Sequence, residues 1–253
     1  MFWRKKKAPS YRTPENTRIY AIGDIHGCCE LLKKIHQKII DDAKAHDHKD
    51  IVVVYMGDYI DKGPKSKEVI DSLINNPFDG YKKIFLKGNH EWVMMNFLNN
   101  PEIGTSWLRY GGDETLKSYG VNIHSANGQK KSNQQLSEDL ERVISADHMA
   151  FYDKLRLSHV EGDYFFVHAG IRPGVEIEDQ NQEDLLGIRE EFVKYKKPFD
   201  KKVIFGHTIF DKAINQSNKI GVDSGAYLFG RLSCVVLDDY EVNFITVSKD
   251  QDV

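Results

Sequence analysis

One device recurs along this chain and restricts what it can fold into. A short apolar run, rich in β-branched residues, stops at a glycine, and Asp, His or Asn follows at once. Its fullest instance is the stretch Ile51 to Gly63, reading Ile-Val-Val-Val-Tyr-Met-Gly-Asp-Tyr-Ile-Asp-Lys-Gly. Ile51 to Val54 reads as a buried strand, and Gly57 lets the backbone turn tightly beyond it. Asp58 is then left at the carboxyl end of a core strand, the end at which open α/β sheets collect their ligands. Asp58 and Asp61, followed by Lys62 and Gly63, suit a charged ligand, a metal ion or both.

The same device opens the chain. Ile19 to Ile22 predicts a strand that runs into Gly23-Asp24-Ile25-His26-Gly27. From Leu31 the period lengthens to that of a helix, with Leu31, Ile35 and Ile39 on one face beside Leu32 and Ile40. The polar run Ala45 to Asp50 closes it, and the strand at Ile51 then makes a parallel crossover. Lys65 to Ile74 predicts a second amphipathic helix. Ile84-Phe85-Leu86 predicts a third strand, delivering Asn89, His90 and Glu91 beyond Lys87 and Gly88. Trp92 to about Tyr152 is different: Met94, Met95, Phe97 and Leu98 have helical spacing, and Gly111-Gly112 breaks the run. This stretch reads as a helical insertion or cap whose aromatic and Met stripe packs a core, with Asn127 to Gln135 as an exposed loop.

A β-rich half follows. Tyr164 to Val167 ends in His168-Ala169-Gly170, and Lys202 to Phe205 ends in Gly206-His207-Thr208. Ser233 to Leu237 and Val242 to Val247 form a closing hairpin around Asp238-Asp239. Gly221 to Gly225 reads as a glycine-bracketed turn before it. No linker separates two halves, so residues 1–253 are expected to form a single domain with a flexible basic N-terminus over 1–17.

Composition removes several classes of function. A net charge of −3 over 253 residues gives no basis for nucleic-acid binding by bulk electrostatics. No apolar run approaches the roughly 20 residues a membrane helix needs. Met1 to Lys7 carries charge without an apolar stretch behind it, so it is no signal peptide. Three cysteines, with Cys28 and Cys29 adjacent, make neither a disulfide framework nor a paired zinc site, and a cytoplasmic location is expected. Nothing in the sequence specifies an oligomeric state.

Five strand ends thus supply Asp24 and His26, Asp58, Asn89, His168 and His207. Mixed oxygen and nitrogen ligands without thiolate suit Mn, Fe or Zn rather than a structural cysteine–zinc site. The set is too large for one tetrahedral ion but suits two ions sharing a carboxylate, and such pairs serve in-line displacement at phosphorus. Gly23-Asp-Ile-His-Gly27, Gly57-Asp-Tyr-Ile-Asp-Lys-Gly63, Gly88-Asn-His-Glu91, His168-Ala-Gly170 and Gly206-His-Thr208, in that order, resemble the calcineurin-like metallophosphoesterases. Within that family the chain looks most like the bacterial phosphoprotein phosphatases, over about Ile19 to Val247.

The resemblance implies an α/β fold in which a β-sandwich is flanked by helices, four layers αββα, with a helical cap. It implies two divalent metal ions, manganese before iron or zinc. Asp24 and His26 would bind the first, Asp58 would bridge, and Asn89, His168 and His207 would bind the second. His90 would be the general acid, oriented and held cationic by Asp61. The expected reaction is in-line attack by a metal-bridging hydroxide on a phosphomonoester, with phosphoserine or phosphothreonine in proteins as the leading substrates. Dinucleoside polyphosphates such as diadenosine tetraphosphate are the close alternative, although Asp61 and Glu91 speak for the phosphatases. A non-catalytic scaffold is a third reading, from which the intact set of candidate ligands detracts.

Lys62, Arg189 and Arg172 are the candidate phosphate-binding cations. Lys62 stands where the phosphatases usually carry arginine, and lysine keeps the charge but loses the planar two-pronged grip. Ala169 and Ile209 also depart from the glycine and proline common in the family. Lys62→Arg is therefore expected to raise kcat/KM, and an unchanged or lower value in steady-state kinetics would refute this.

Overall fold

The computed structural model describes residues 11–46 and 50–250, so the basic stretch Met1 to Lys7 lies outside the described residues. The amino-terminal half alternates as the periodicity dictates: β1 (Thr17–Ile22), α1 (Cys29–Lys44), β2 (Asp50–Tyr55), α2 (Ser66–Ile74) and β3 (Lys82–Phe85). A helical stretch follows, made of α3 (Asn89–Asn99), α4 (Gly104–Trp107), α5 (Asp113–Ser118), α6 (Asn133–Val143) and α7 (Ala146–Asp153). Between α4 and α5 the helix is broken at Tyr110 and Gly111, the latter at φ 100°. The chain then forms β4 (Ser158–Glu161), β5 (Tyr164–Val167), α8 (Gln182–Gly187), α9 (Glu190–Lys194) and β6 (Lys202–Phe205). It ends with β7 (Ile214–Asn215), β8 (Lys219–Gly221), α10 (Ala226–Phe229), β9 (Arg231–Asp238) and β10 (Glu241–Ser248).

Two five-stranded sheets result, in the orders β10-β9-β1-β2-β3 and β4-β5-β6-β8-β7. In the first, β1, β2 and β3 are parallel while the closing hairpin runs antiparallel beside β1. In the second, β5, β6 and β8 are parallel and the outer strands β4 and β7 antiparallel. Alternation of side chains along each strand builds the layers. Ile19, Ala21, Val52 and Val54 of one sheet meet Tyr164, Phe166, Ile204 and Ile220 of the other in a single buried cluster. The intervening residues Tyr20, Ile22, Val53 and Tyr55 pack outward beneath Leu31, Ile35, Val69 and Ile70 of α1 and α2. On the other side Phe165, Val167, Val203 and Phe205 pack beneath Leu185, Ile188 and Phe192. This is the expected αββα sandwich, and burial on both faces is why its strands read as unbroken apolar runs.

The fold departs from expectation in three places. Asn133 to Gln135, expected in a loop, begins α6, because Ser132 and Gln135 form a capping box: Ser132 Oγ accepts from the Gln135 N–H at 3.2 Å and Gln135 Oε1 from the Ser132 N–H at 2.9 Å. Trp92 stays 40% exposed, whereas Met94, Phe97 and Trp107 are buried. The short strands β4, β7 and β8 were not expected, since two to four residues carry too little periodicity to register.

One cation ties the first sheet to its helix. Buried Arg18 on β1 donates to Asp42 Oδ2 of α1 from Nη2 at 2.8 Å and from Nε at 3.0 Å, and its Nη1 donates to Asp238 at the end of β9. Tyr20 Oη donates to the same Asp42 oxygen at 2.6 Å. Burial pushes the Asp42 carboxyl up, but the bonds from Tyr20 and Arg18 outweigh it and hold the group below its ordinary value. A carboxylate lowered by folding adds stability above its unfolded pKa, near 4, and loses it as pH falls through the folded value. Asp42→Asn should therefore lose about 1–2 kcal/mol at neutral pH and much less near pH 3. Urea unfolding at both pH values checks this, and an equal loss at each would exclude the linkage.

Candidate metal centre

The parallel strands of both sheets deliver their carboxyl ends to one place, and backbone bonds hold the two sets of loops together. His207 N–H donates to Asp24 Oδ2 at 2.9 Å, and His168 Nδ1 donates to the Met56 carbonyl at 2.9 Å. Seven non-glycine residues among those described have left-handed φ, and five of them lie here: His26 (45°), Asp58 (51°), Asp61 (70°), Lys62 (66°) and His207 (59°). Such conformations cost on the order of 1–3 kcal/mol each and persist where the surroundings over-determine them. Gly88 shows how closely the loops approach, because a Cβ there would lie 2.1 Å from Asp58 Oδ1.

Backbone carbonyls fix the histidine tautomers. His26 Nδ1 donates to Ile60 O at 2.8 Å and His168 Nδ1 to Met56 O, so each ring turns an unprotonated Nε2 inward. Burial lowers His26 to about 3 and His207 to about 2, and it also lowers His168. In all three burial favours the neutral form that metal-ligating imidazoles need. Asp58 sits among them, with Oδ2 3.5 Å from His26 Nε2 and Oδ1 3.4 Å from His168 Nε2. Burial opposes its ionisation, but the facing histidines, His168 and His90 foremost, hold it below the ordinary carboxylate value.

The donor set fits divalent cations. Asp24 Oδ1 and His207 Nε2 are buried with no hydrogen-bond partner. A buried orphan of this kind costs about 1–3 kcal/mol, so a pair of them calls for an electrophile. Asn89 Oδ1 lies 3.0 Å from the unprotonated His168 Nε2, with Asp58 Oδ1 beside them, which sets three acceptors facing one another. Burial and the charges of Asp223 and Asp58 push the Asp24 carboxyl well up, and a cation would restore its ionised form. Two overlapping trios bring ligand atoms within 4.8 Å: His26, Asp58 and His90, and Asp58, His168 and His207. Asp58 alone belongs to both.

His90 carries a second network. Its Nδ1 donates to Asp61 Oδ2 at 2.6 Å, leaving Nε2 directed inward, 3.9 Å from Asp58 Oδ2. Asp61 is fully buried and also accepts from Trp107 Nε1 at 2.8 Å and Thr115 Oγ1 at 2.5 Å. Burial lowers the His90 pKa, but Asp58 and Asp61 more than reverse this and raise it. Trp107 and Thr115 escaped the sequence reading because nothing local marks a partner 46 or 54 residues away. Glu91 was noticed only as a family feature. Its carboxylate accepts from the N–H groups of Asp58 and Gly88 at 2.9 Å each, and of Tyr59 at 2.7 Å and Ile60 at 3.3 Å, which fastens the Asp58 turn to the start of α3. Asp223, expected only as part of a turn, is buried at the same centre and pushed up to about 6 by burial, with Asp58 adding to the effect.

The three candidate cations fare differently. Lys62 Nζ lies 3.0 Å from His26 Nε2 and 4.7 Å from the centroid of the Tyr227 ring. Arg189, at the N-cap of α9, is exposed, and its charge bears on His168, His207 and Asp223. It has no ion-pair partner among the described residues, since neighbouring Glu190 pairs with Lys194 and Glu191 with Arg172, each at 2.6 Å. Arg172 donates to both Asp184 oxygens, at 2.7 and 2.6 Å, as well as to Glu191. Its guanidinium is thus committed within the fold.

Residues 17–246 match the calcineurin-like phosphoesterase family model. The chain is 28% identical over 241 residues to serine/threonine-protein phosphatase 2 of Escherichia coli, covering 91% of this chain and 95% of that protein. It is 24% identical over 242 residues to the asymmetrical bis(5'-nucleosyl)-tetraphosphatase PrpE of Anoxybacillus flavithermus, covering 87% and 90%. A solved point variant of a cold-active protein tyrosine phosphatase superposes with a TM-score of 0.58 at 16% identity, covering 97% of this chain and 85% of that one. At that identity the superposition speaks for the fold alone.

If Asp58 is shared, its loss must differ in kind from loss of a ligand to one ion. Calorimetric titration with Mn²⁺ should show two sites in the native chain and one in His207→Ala, with both weakened in Asp58→Asn. Saturation at about 100 times the dissociation constant should add about 2.7 kcal/mol to stability. Two intact sites in His207→Ala, or one of native affinity in Asp58→Asn, would contradict the shared ligand.

Proposed function

We propose, from the premise that this chain belongs to the calcineurin-like phosphoesterase family, that it hydrolyses phosphate monoesters of aliphatic alcohols, phosphoserine and phosphothreonine in proteins first among them. The observation that carries this reading is the buried His90–Asp61 pair at 2.6 Å. An alkoxide is a poor leaving group and needs a proton as its bond to phosphorus breaks. A nucleotide departing from a polyphosphate leaves as a stable anion and does not. A fixed carboxylate that keeps an imidazole cationic beside the centre is therefore of most use to an alkyl phosphate.

Two divalent ions, manganese in our reading, would supply positive charge to the phosphoryl oxygens and acidify a water molecule when bound. Asp58 would hold both, with Asp24 and His26 completing one ligand set and Asn89, His168 and His207 the other. His90 Nε2 would donate its proton to the leaving oxygen. Asp61 holds His90 by Nδ1 and is itself held by Trp107 and Thr115, so the acid cannot swing away from the centre. Lys62 and Arg189 are assigned to the phosphate. Arg172 is assigned to joining the loop after His168 to α8 and α9, because Asp184 and Glu191 already take its donors. The cysteines are buried and unpaired, which supports a reducing, cytoplasmic setting. Among the described residues no helix is long and apolar enough to cross a membrane.

Dinucleoside polyphosphates remain the second reading, favoured by the PrpE relative of comparable coverage. Leaving-group dependence separates the two. In metal-loaded enzyme His90→Asn should lower kcat on phosphoserine peptides by about 10²–10⁴ and affect p-nitrophenyl phosphate far less. Equal losses on both substrates would remove the acid role. Faster turnover of diadenosine tetraphosphate than of any phosphopeptide by the native enzyme would overturn the preferred substrate.

A further inference from the structure

We propose that Lys219 is a positioning residue for Arg189 and sets how firmly the phosphate is gripped without touching it. The proposal rests on the reading of Arg189 as a phosphate-binding cation. Lys219 lies on β8 and is fully buried. An ammonium in that setting is costly unless each of its three donors is satisfied. Here its Nζ donates to the carbonyls of Phe192, of Val193 at 3.2 Å and of Tyr195 at 2.8 Å. It also lies 4.5 Å from the centroid of the Phe192 ring. No carboxylate pairs with it among the described residues, so the carbonyl dipoles at the end of α9 are what compensate its charge.

This matters because α9 is only five residues long, Glu190–Lys194. A helix that short does not persist on its own, and at its carboxyl end only the Phe192 carbonyl has a local partner among the described residues, the Tyr195 N–H at 3.2 Å. Lys219 adds a second donor to the Phe192 carbonyl and reaches those of Val193 and Tyr195, and its positive charge suits that end of the helix. Asn218 adds a second tie just beyond, donating to the carbonyls of Tyr195 at 3.1 Å and Lys197 at 2.8 Å. The Phe192 ring fixes the other coordinate of the helix, packing so closely on Gly170, two residues past His168, that a Cβ there would come within 2.4 Å of it. Arg189 stands at the N-cap of this helix, and among the described residues no ion pair holds its guanidinium. Its pose relative to the candidate metal ligands therefore depends on the placement of α9, and Lys219 clamps the far end.

A double-mutant cycle in the metal-loaded full-length enzyme tests this, with p-nitrophenyl phosphate as substrate and inorganic phosphate as inhibitor. Arg189→Ala should raise KM and the phosphate inhibition constant about tenfold or more. Lys219→Met should raise both about threefold or more with kcat within about twofold, and the increase should vanish in the Arg189→Ala background. A residue that merely stabilises the fold would instead lower the melting temperature and the active fraction, leaving KM in place. Should Lys219→Met fail to fold, Lys194→Gly loosens the same helix from its exposed face, where the Lys194 side chain is 74% exposed. It should give the same KM increase, again absent without Arg189. An unchanged KM in the folded variants, or an increase that persists on top of Arg189→Ala, would overturn the proposal. A native KM in Arg189→Ala would instead remove the phosphate-binding reading beneath it.

Discussion

Everything around the centre answers to one constraint, a carboxylate at Asp58 that is buried and kept ionised. A charge taken out of water must be compensated in place, and the fold gathers what compensates it from both sheets. His26 comes from the end of β1 and His168 from the end of β5, and each offers an unprotonated nitrogen because a backbone carbonyl occupies the other. Glu91 binds the amides of the Asp58 turn and so orients the carboxylate. The His90 N–H donates to Asp58 Oδ1 at 3.1 Å, while the Nε2 atoms of His26 and His168 face the carboxylate with lone pairs, an arrangement suited to cations. Strained backbone at Asp58, His26 and His207 is the conformational cost of putting all these groups in one place.

The helical stretch contributes the other half of the chemistry. Asp61 emerges from the same turn as Asp58 yet points to Trp107, Thr115 and His90. One loop therefore feeds two networks, one of acceptors suited to metals and one of donors that hold a carboxylate. The second is closed by residues of α4 and α5, so these helices do more than cover the entrance. Because every oxygen of Asp61 is satisfied, His90 has one place to be, and buried polar networks specify geometry in this way when fully paired. Gly111 allows the cap to approach closely, and its carbonyl accepts from the Lys62 N–H at 3.1 Å.

The strand-end residues were legible in the sequence because their signals are local. A β-branched run, a glycine and a ligand-type side chain lie within a few residues of each other, and the in–out alternation is visible once both sheet faces are known to be buried. Asp24, His26, Asp58, Asn89, His168 and His207 follow from that pattern, and the structure brings them together. Trp107, Thr115 and the amide-binding role of Glu91 did not follow, because each depends on a partner that only the tertiary fold supplies. Among the cations, Arg189 was expected from its resemblance to a family phosphate arginine and Arg172 from its place just after the His168 loop. They part because Asp184, twelve residues beyond Arg172, folds back onto it at 2.6 Å and Glu191 joins it, while Arg189 has no carboxylate partner among the described residues. The Ser132 and Gln135 capping box was local and legible, but the polar stretch around it masked the helix it begins.

In the proposed reading the phosphate grip divides unevenly between two cations. Lys62 brings a compact charge on a flexible stem, lying against His26 and the Tyr227 ring, and lacks the planar fork that fits two phosphate oxygens at once. Arg189 has the fork, but it stands at the start of a five-residue helix with no ion pair among the described residues to hold it. In the proposed reading, lysine at position 62 lacks the second fork that the family's usual arginine would bring, and geometric selectivity for the phosphoryl group would fall to Arg189. A fork selects by direction as well as charge, so an error in the placement of α9 becomes an error in the direction of both donors. A buried lysine at the end of that helix costs desolvation, and this offset is reasonable only if the pose it secures is used. On these proposals the lysine at position 62 and the clamp at Lys219 would be physically linked, since the first raises the demand on Arg189 and the second helps meet it.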